Sequence, residues 1–150
     1  MTEIYIGADH GGYELKEELK KYLSELGYQV EDVGNHQVDP QDDYPDFIIP
    51  VAQKVVENSD SLGIVLGRSG NGEQIAANKI KGIRAALCLS EKMAELARTH
   101  NDANVLSLGG DFVSVDEAKK IVKTFLETPF SQEERHSRRI DKIKVYENQP

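Results

Sequence analysis

Short runs of β-branched and other apolar residues alternate along this chain with longer stretches whose apolar residues recur at helical spacing, and few folds accept that pattern. Residues 3–6 (EIYI) read as a strand. Over 13–26 the apolar Tyr13, Leu15, Leu19, Leu23 and Leu26 predict a helix, which Gly27 ends because glycine enters the left-handed region freely. A second strand is expected over 28–33 and a polar loop containing Pro40 over 35–43. A helix over 45–57 is entered through Pro45, although Pro50 inside it could kink or shorten it. Strands follow over 62–66, 83–89 and 104–108, with helices over 73–78, from a Ser90 cap to about Thr99, and from a Ser114/Glu117 capping box to about Glu127. Ser131 and Glu134 repeat the capping-box signature ahead of a final helix.

Strands alternating with helices imply an α/β fold, a parallel sheet covered on both faces. The first, third, fourth and fifth strands are nearly continuous apolar runs, as strands buried on both faces should be. A length of 150 residues fits one domain over 1–150 with a sizeable core. No apolar run nears the roughly 20 residues of a membrane helix. The opening residues 1–6 carry neither a basic start nor a cleavable apolar segment, so a cytoplasmic address is expected. The only cysteine, Cys88, excludes an intrachain disulfide and a multi-cysteine zinc site. A formal net charge of −8 argues against nucleic-acid and anionic-membrane partners, and against that background the cluster Arg135-His136-Ser137-Arg138-Arg139 stands out.

In such sheets ligands bind at the carboxyl ends of the strands. The expected order brings residues 7–12, 67–72, His100-Asn101 and Gly109-Gly110 to one rim. Residues 67–79, GRSGNGEQIAANK, place three glycines directly after an apolar strand. Their order is neither a P-loop nor the dinucleotide fingerprint. Glycines let backbone N–H groups of Ser69, Gly70, Asn71 and Gly72 approach an anion, and the helix that follows adds its positive end. Glu73 stands in the first turn of that helix, where a carboxylate is favourable even without a catalytic role. Asp9-His10 ends the first strand, and Gly11 and Gly12 leave room beside it. His100 can complement the dipole of a helix C-terminus or serve a site. Arg135 and Arg139, four apart, share a helix face that is either solvated or a phosphate clamp. The four histidines lack metal-ligand spacing, so no metal is expected. A base, an anion hole, histidines and a phosphate clamp together suggest proton abstraction beside a carbonyl in a small phosphorylated molecule.

The segments GADHGGYELK, DYPDF, RSGNGEQIAANK, GIRAAL, ARTHNDANVLSLGG and RHSRRID make the sequence resemble the type B ribose-5-phosphate isomerases and their galactose- and allose-6-phosphate relatives over nearly the whole chain. The resemblance implies a five-stranded α/β/α sandwich and a homodimer, in some members paired into tetramers. It also implies active sites completed by the neighbouring subunit, a phosphorylated-sugar substrate, and no metal or organic cofactor. Many members end the third strand with a cysteine base; Gly67 stands there, so the chain resembles the subgroup whose base is Glu73, with Ser69 beside it. By position, His100 opens the sugar ring. Asp9, Tyr44 and Asn101 contact sugar oxygens. His10, Arg135 and Arg139 bind phosphate, the arginines arriving from the partner, and His136 is a further candidate. Two departures stand out. Asp111 replaces an arginine that usually follows Gly109-Gly110, and Arg68 occupies a place where the subgroup often has glycine. Arg68 is therefore a candidate to compensate, and galactose 6-phosphate, allose 6-phosphate or a four-carbon ketose phosphate stays an alternative substrate. A non-catalytic phosphosugar-binding module is the remaining alternative.

Overall fold

The computed structural model describes residues 2–150. Strands β1 (Glu3–Ala8), β2 (Gln29–Gly34), β3 (Ser61–Gly67), β4 (Ala85–Leu87) and β5 (Val105–Gly109) form one sheet in the order β2-β1-β3-β5-β4. Every pairing is parallel. The helices are α1 (Tyr13–Glu25), α2 (Pro45–Glu57), α3 (Asn71–Ala77), α4 (Glu91–Asn101), α5 (Val115–Glu127) and α6 (Glu134–Glu147). No helix among the described residues is long and apolar enough to cross a membrane.

Alternation along the strands divides the core. Ile4, Ile6, Ile64, Leu66, Leu106 and Leu108 face one side and pack with Leu15, Leu19 and Leu23 of α1, Ala94 and Ala97 of α4, and Ile121, Val122 and Phe125 of α5. Tyr5, Val65 and Val105 face the other and meet Ile48, Val51 and Val55 of α2 and Ala76 and Ala77 of α3. The expected three-layer α/β/α sandwich is thus observed, with β1, β3 and β5 at its centre.

Helix ends follow local chemistry. Gly27 at φ +89° ends α1, and Ser90 and Ser114 each accept a hydrogen bond from the backbone N–H three residues on. Pro50 neither breaks nor shortens α2. Three expectations need correction. The fourth strand shrinks from 83–89 to Ala85–Leu87, because it is an edge strand paired only with β5. α3 begins at Asn71, not 73. The second capping box does not form: Glu133 is the N-cap of α6, while the Ser131 hydroxyl lies 2.7 Å from His136 Nδ1.

Candidate active site

The carboxyl ends of β1, β3 and β5 are neighbours in the sheet, so the loops after them meet. Gly110 donates its N–H to Gly67 O (2.8 Å) and Asp111 to Arg68 O (3.0 Å). The loop after β3 turns into α3 through Gly70, whose φ of +84° a side chain would resist. Buried Ser107 on β5 fixes that turn by donating its hydroxyl to Gly70 O (2.8 Å). Ser69 Oγ accepts the N–H of Asn71 at 3.2 Å. Gln74 N–H donates to Gly70 O (3.0 Å) and Glu73 N–H serves its own carboxylate, so of the loop donors expected from sequence Ser69, Gly70 and Gly72 keep free N–H groups and Asn71 does not.

Glu73 is only 4% exposed. Its carboxylate lies directly over Gly67: a Cβ placed on that glycine would stand 1.4 Å from Oε1 and 2.2 Å from Cδ. A cysteine at Gly67 and the Glu73 carboxylate therefore compete for one volume. That is a steric reason for glycine at this position. The Tyr44 ring closes over Gly72, whose added Cβ would meet Cζ at 2.7 Å.

Burial pushes the Glu73 pKa above the ordinary carboxylate value, and the charge of Asp9 adds to the rise, while the residue's own backbone N–H opposes it. Burial outweighs that backbone hydrogen bond. Asp9 is also raised, by burial first, and its Oδ1 accepts the N–H of Gly11 at 3.0 Å. Cys88 is buried and its thiol is pushed up to about 12, so it stays protonated near neutrality.

His10 opens a short 3-10 turn (His10–Gly12) and lies beside a cleft of about 730 Å³ that Arg68, Gly110, Asp111, Tyr13 and Glu14 also line. Its partner is not Asp9 but Asp42, whose Oδ1 lies 2.6 Å from His10 Nδ1. In sequence Asp42 is one acid among several in a polar loop, and its place two residues before Tyr44 is the available signal. Asp9, His10 and Asp42 bring ligand atoms within 4.8 Å of one another, but His10 Nδ1 and the N–H groups of His10 and Gly11 already use the carboxylates, so the trio is a hydrogen-bonded unit. Across the cleft, exposed Arg68 Nη1 lies 3.7 Å from Asp111 Oδ2.

The other candidates stand elsewhere. α4 leads into β5 and so ends at the amino edge of the sheet, where Arg84, just before β4, donates to Asn101 O (2.8 Å). Ser131 N–H reaches Thr99 O there (3.2 Å), which brings the start of α6 to the same edge. His100 and His136 rings pack at 4.3 Å, with exposed Arg135 and Arg139 on the first turns of α6. Burial, then the charges of His100 and Arg135, hold the His136 pKa below its ordinary value. The expectation that His100-Asn101 shares a rim with Glu73 is thus overturned. The length of β3, seven residues or about 20 Å, separates the two edges. Within one chain the sequence candidates form two half-sites: Asp9, His10, Tyr44 and Arg68 to Glu73 at one edge, and His100, Asn101, Arg135, His136 and Arg139 at the other.

Known proteins share this fold and much of this sequence. The family model described as Ribose/Galactose Isomerase matches residues 4–143. Ribose-5-phosphate isomerase B of Mycobacterium tuberculosis is 50% identical over 144 residues, 96% of this chain and 89% of that protein. The crystal structure of ribose-5-phosphate isomerase B from Mycoplasma genitalium with bound ribulose 5-phosphate superposes with a TM-score of 0.95 at 47% identity, covering 99% of this chain and 98% of that one. The Clostridium thermocellum ribose-5-phosphate isomerase B gives 0.93 at 46%, covering 97% of each. Motifs, sheet order and loop geometry lead to one conclusion: the chain belongs to the ribose/galactose isomerase family.

Proposed function

We propose that this protein interconverts ribose 5-phosphate and ribulose 5-phosphate, with Glu73 as the base. The observation that carries the reading is the Glu73 carboxylate, enclosed over Gly67 at the end of the central strand, in the first turn of α3. Half-identity over nearly the whole length to proteins named for that reaction supports the substrate.

His100 moves a proton between the ring oxygen and the hydroxyl and opens the sugar. Glu73 removes the proton on C2, and the electron pair forms the C1–C2 double bond of a cis-enediolate. Glu73 then returns that proton to C1, while the proton between the two oxygens passes with the help of Ser69. The N–H groups of Ser69, Gly70 and Gly72 carry the developing oxyanion, each preorganised donor contributing roughly 3 kcal/mol, while Asn71 N–H stays on Ser69 Oγ. Asp9, Tyr44 and Asn101 hold sugar oxygens. His10, Arg135 and Arg139 hold the phosphate, His136 supports His100, and Arg68 supplies a cation near the place where Asp111 stands instead of an arginine. An exposed pair such as Arg68–Asp111 contributes little by itself, so a phosphate dianion competes for Arg68 at small cost.

Because the two half-sites stand at opposite edges of one chain, this chemistry requires a second copy. The reading is therefore a homodimer with shared sites, acting in the cytoplasm. Asp111 keeps a second reading open, a phosphorylated sugar of another length. A substrate panel on one preparation decides between them: ribose 5-phosphate is turned over with the highest kcat/KM, and a preference for galactose 6-phosphate, allose 6-phosphate or a tetrulose phosphate refutes the assignment. Binding of ribose 5-phosphate without formation of ribulose 5-phosphate refutes catalysis itself.

A further inference from the structure

His10 is fixed from behind by a chain of groups that begins in the core. Lys16 of α1 is 0% exposed; its ammonium binds both Asp32 oxygens (2.8 and 2.9 Å) and the carbonyl of Asn35. Asn35 is buried, and its N–H donates to Ala8 O (2.9 Å) at the end of β1. Its side-chain amide donates to Asp42 Oδ2 (3.1 Å). The other Asp42 oxygen takes the His10 ring at Nδ1 (2.6 Å) and lies 3.3 Å from the His10 backbone N. The Asp42 side chain is 6% exposed and the His10 side chain 26%, so the carboxylate is enclosed while the ring borders the cleft.

We propose that Asp42 is a positioning residue for the substrate's phosphate: it takes Nδ1–H of His10 and leaves Nε2 as the ring nitrogen able to donate into the cleft. This rests on the reading that His10 touches the phosphate. A neutral ring with its proton on Nδ1 has a bare Nε2, which cannot donate to a phosphate oxygen; the imidazolium can. The chemistry recognised is therefore a dianion, and His10 serves it only while protonated.

The carboxylates around the ring agree in sign. The hydrogen bond to Asp42 is the largest influence and raises the His10 pKa. Partial burial opposes it, the charges of Asp42 and Asp9 raise it further, and Arg68 lowers it. Glu14 of α1 and Asp111 beyond β5 line the same cleft and add negative charge at longer range. Asp9 makes no hydrogen bond to the His10 ring; its Oδ1 accepts the Gly11 N–H.

The test follows the His10 ring by NMR titration, assigned with His10→Gln, beside KM for ribose 5-phosphate across pH. The wild type, Asp42→Asn and Asp42→Glu proteins are compared, each first shown to keep the wild-type melting profile. In Asp42→Asn the His10 titration moves to lower pH and KM near neutrality rises roughly tenfold, the scale of one charge-assisted contact, while kcat changes much less. Asp42→Glu, which keeps the charge, restores most of both. A His10 titration unmoved in Asp42→Asn overturns the inference whatever KM does. If the titration moves but His10→Gln leaves KM unchanged, the phosphate contact of His10 is refuted, and the positioning role falls with it. If Asp42→Asn does not fold, the ring 15N shifts of wild-type His10 decide: above its titration the neutral ring must carry its proton on Nδ1, and a proton on Nε2 instead overturns the inference.

Discussion

Glu73 and Gly67 act as one unit at the scale of single residues, because the carboxylate of one fills the space the other leaves empty. The same enclosure raises the Glu73 pKa, with a consequence for stability. A carboxyl raised above its unfolded value stabilises the fold below that value and loses the contribution as pH climbs through the folded pKa. Glu73→Gln should therefore raise the melting temperature at alkaline pH, and the gain should vanish below the ordinary value of 4.5. Turnover in the same variant should fall by about 10²–10⁴-fold, the contribution of a general base. A variant that keeps its turnover, or that melts earlier at alkaline pH, contradicts a buried catalytic carboxylate. Arg68→Gly should raise KM for the phosphorylated sugar several-fold with kcat little changed, since only a phosphate contact at the cleft is lost; an unchanged KM removes Arg68 from the site.

Elements depend on side chains where the sheet runs out of neighbours. β4 has three residues and pairs only with β5, yet its start is held on both sides by asparagines. Asn78, at the end of α3, exchanges two hydrogen bonds with the backbone of Ala85 (2.8 and 3.0 Å). Asn104, just before β5, accepts from Arg84 N–H (2.8 Å) and donates to Gly82 O (2.9 Å). Asn78→Ala removes both partners of one partly buried residue and should cost about 2 kcal/mol in urea unfolding. Because α3 also carries Glu73, the melting and kinetic effects of this variant should appear together.

At the scale of the whole molecule the decisive fact is direction. Every strand is parallel, so each helix that leads into a strand ends at the amino edge, and α4 delivers His100 there. Glu73 lies at the carboxyl edge, about a strand length away. In an isologous dimer the same two half-sites meet twice. Mixing inactive Glu73→Gln with inactive His100→Asn subunits should then restore activity, to about a quarter of the wild type at equal amounts. One site in each mixed dimer, itself half the population, carries both native residues. No recovery after subunit exchange contradicts the shared site.

The layers, most helix boundaries, and a carboxylate set beside glycines were legible in the sequence, because caps, turns and apolar periods are local properties of neighbouring residues. Even the edge on which His100 stands was implied by order, since a helix that precedes a parallel strand must end where that strand begins. Grouping the motifs by chemical type put it on the wrong rim. What only the tertiary structure decided are pairings between distant residues: Asp42 with His10, 32 positions apart, Glu73 against Gly67, and His100 against His136. Such pairings are set by the three-dimensional approach of loops from different strands, and no local period records them.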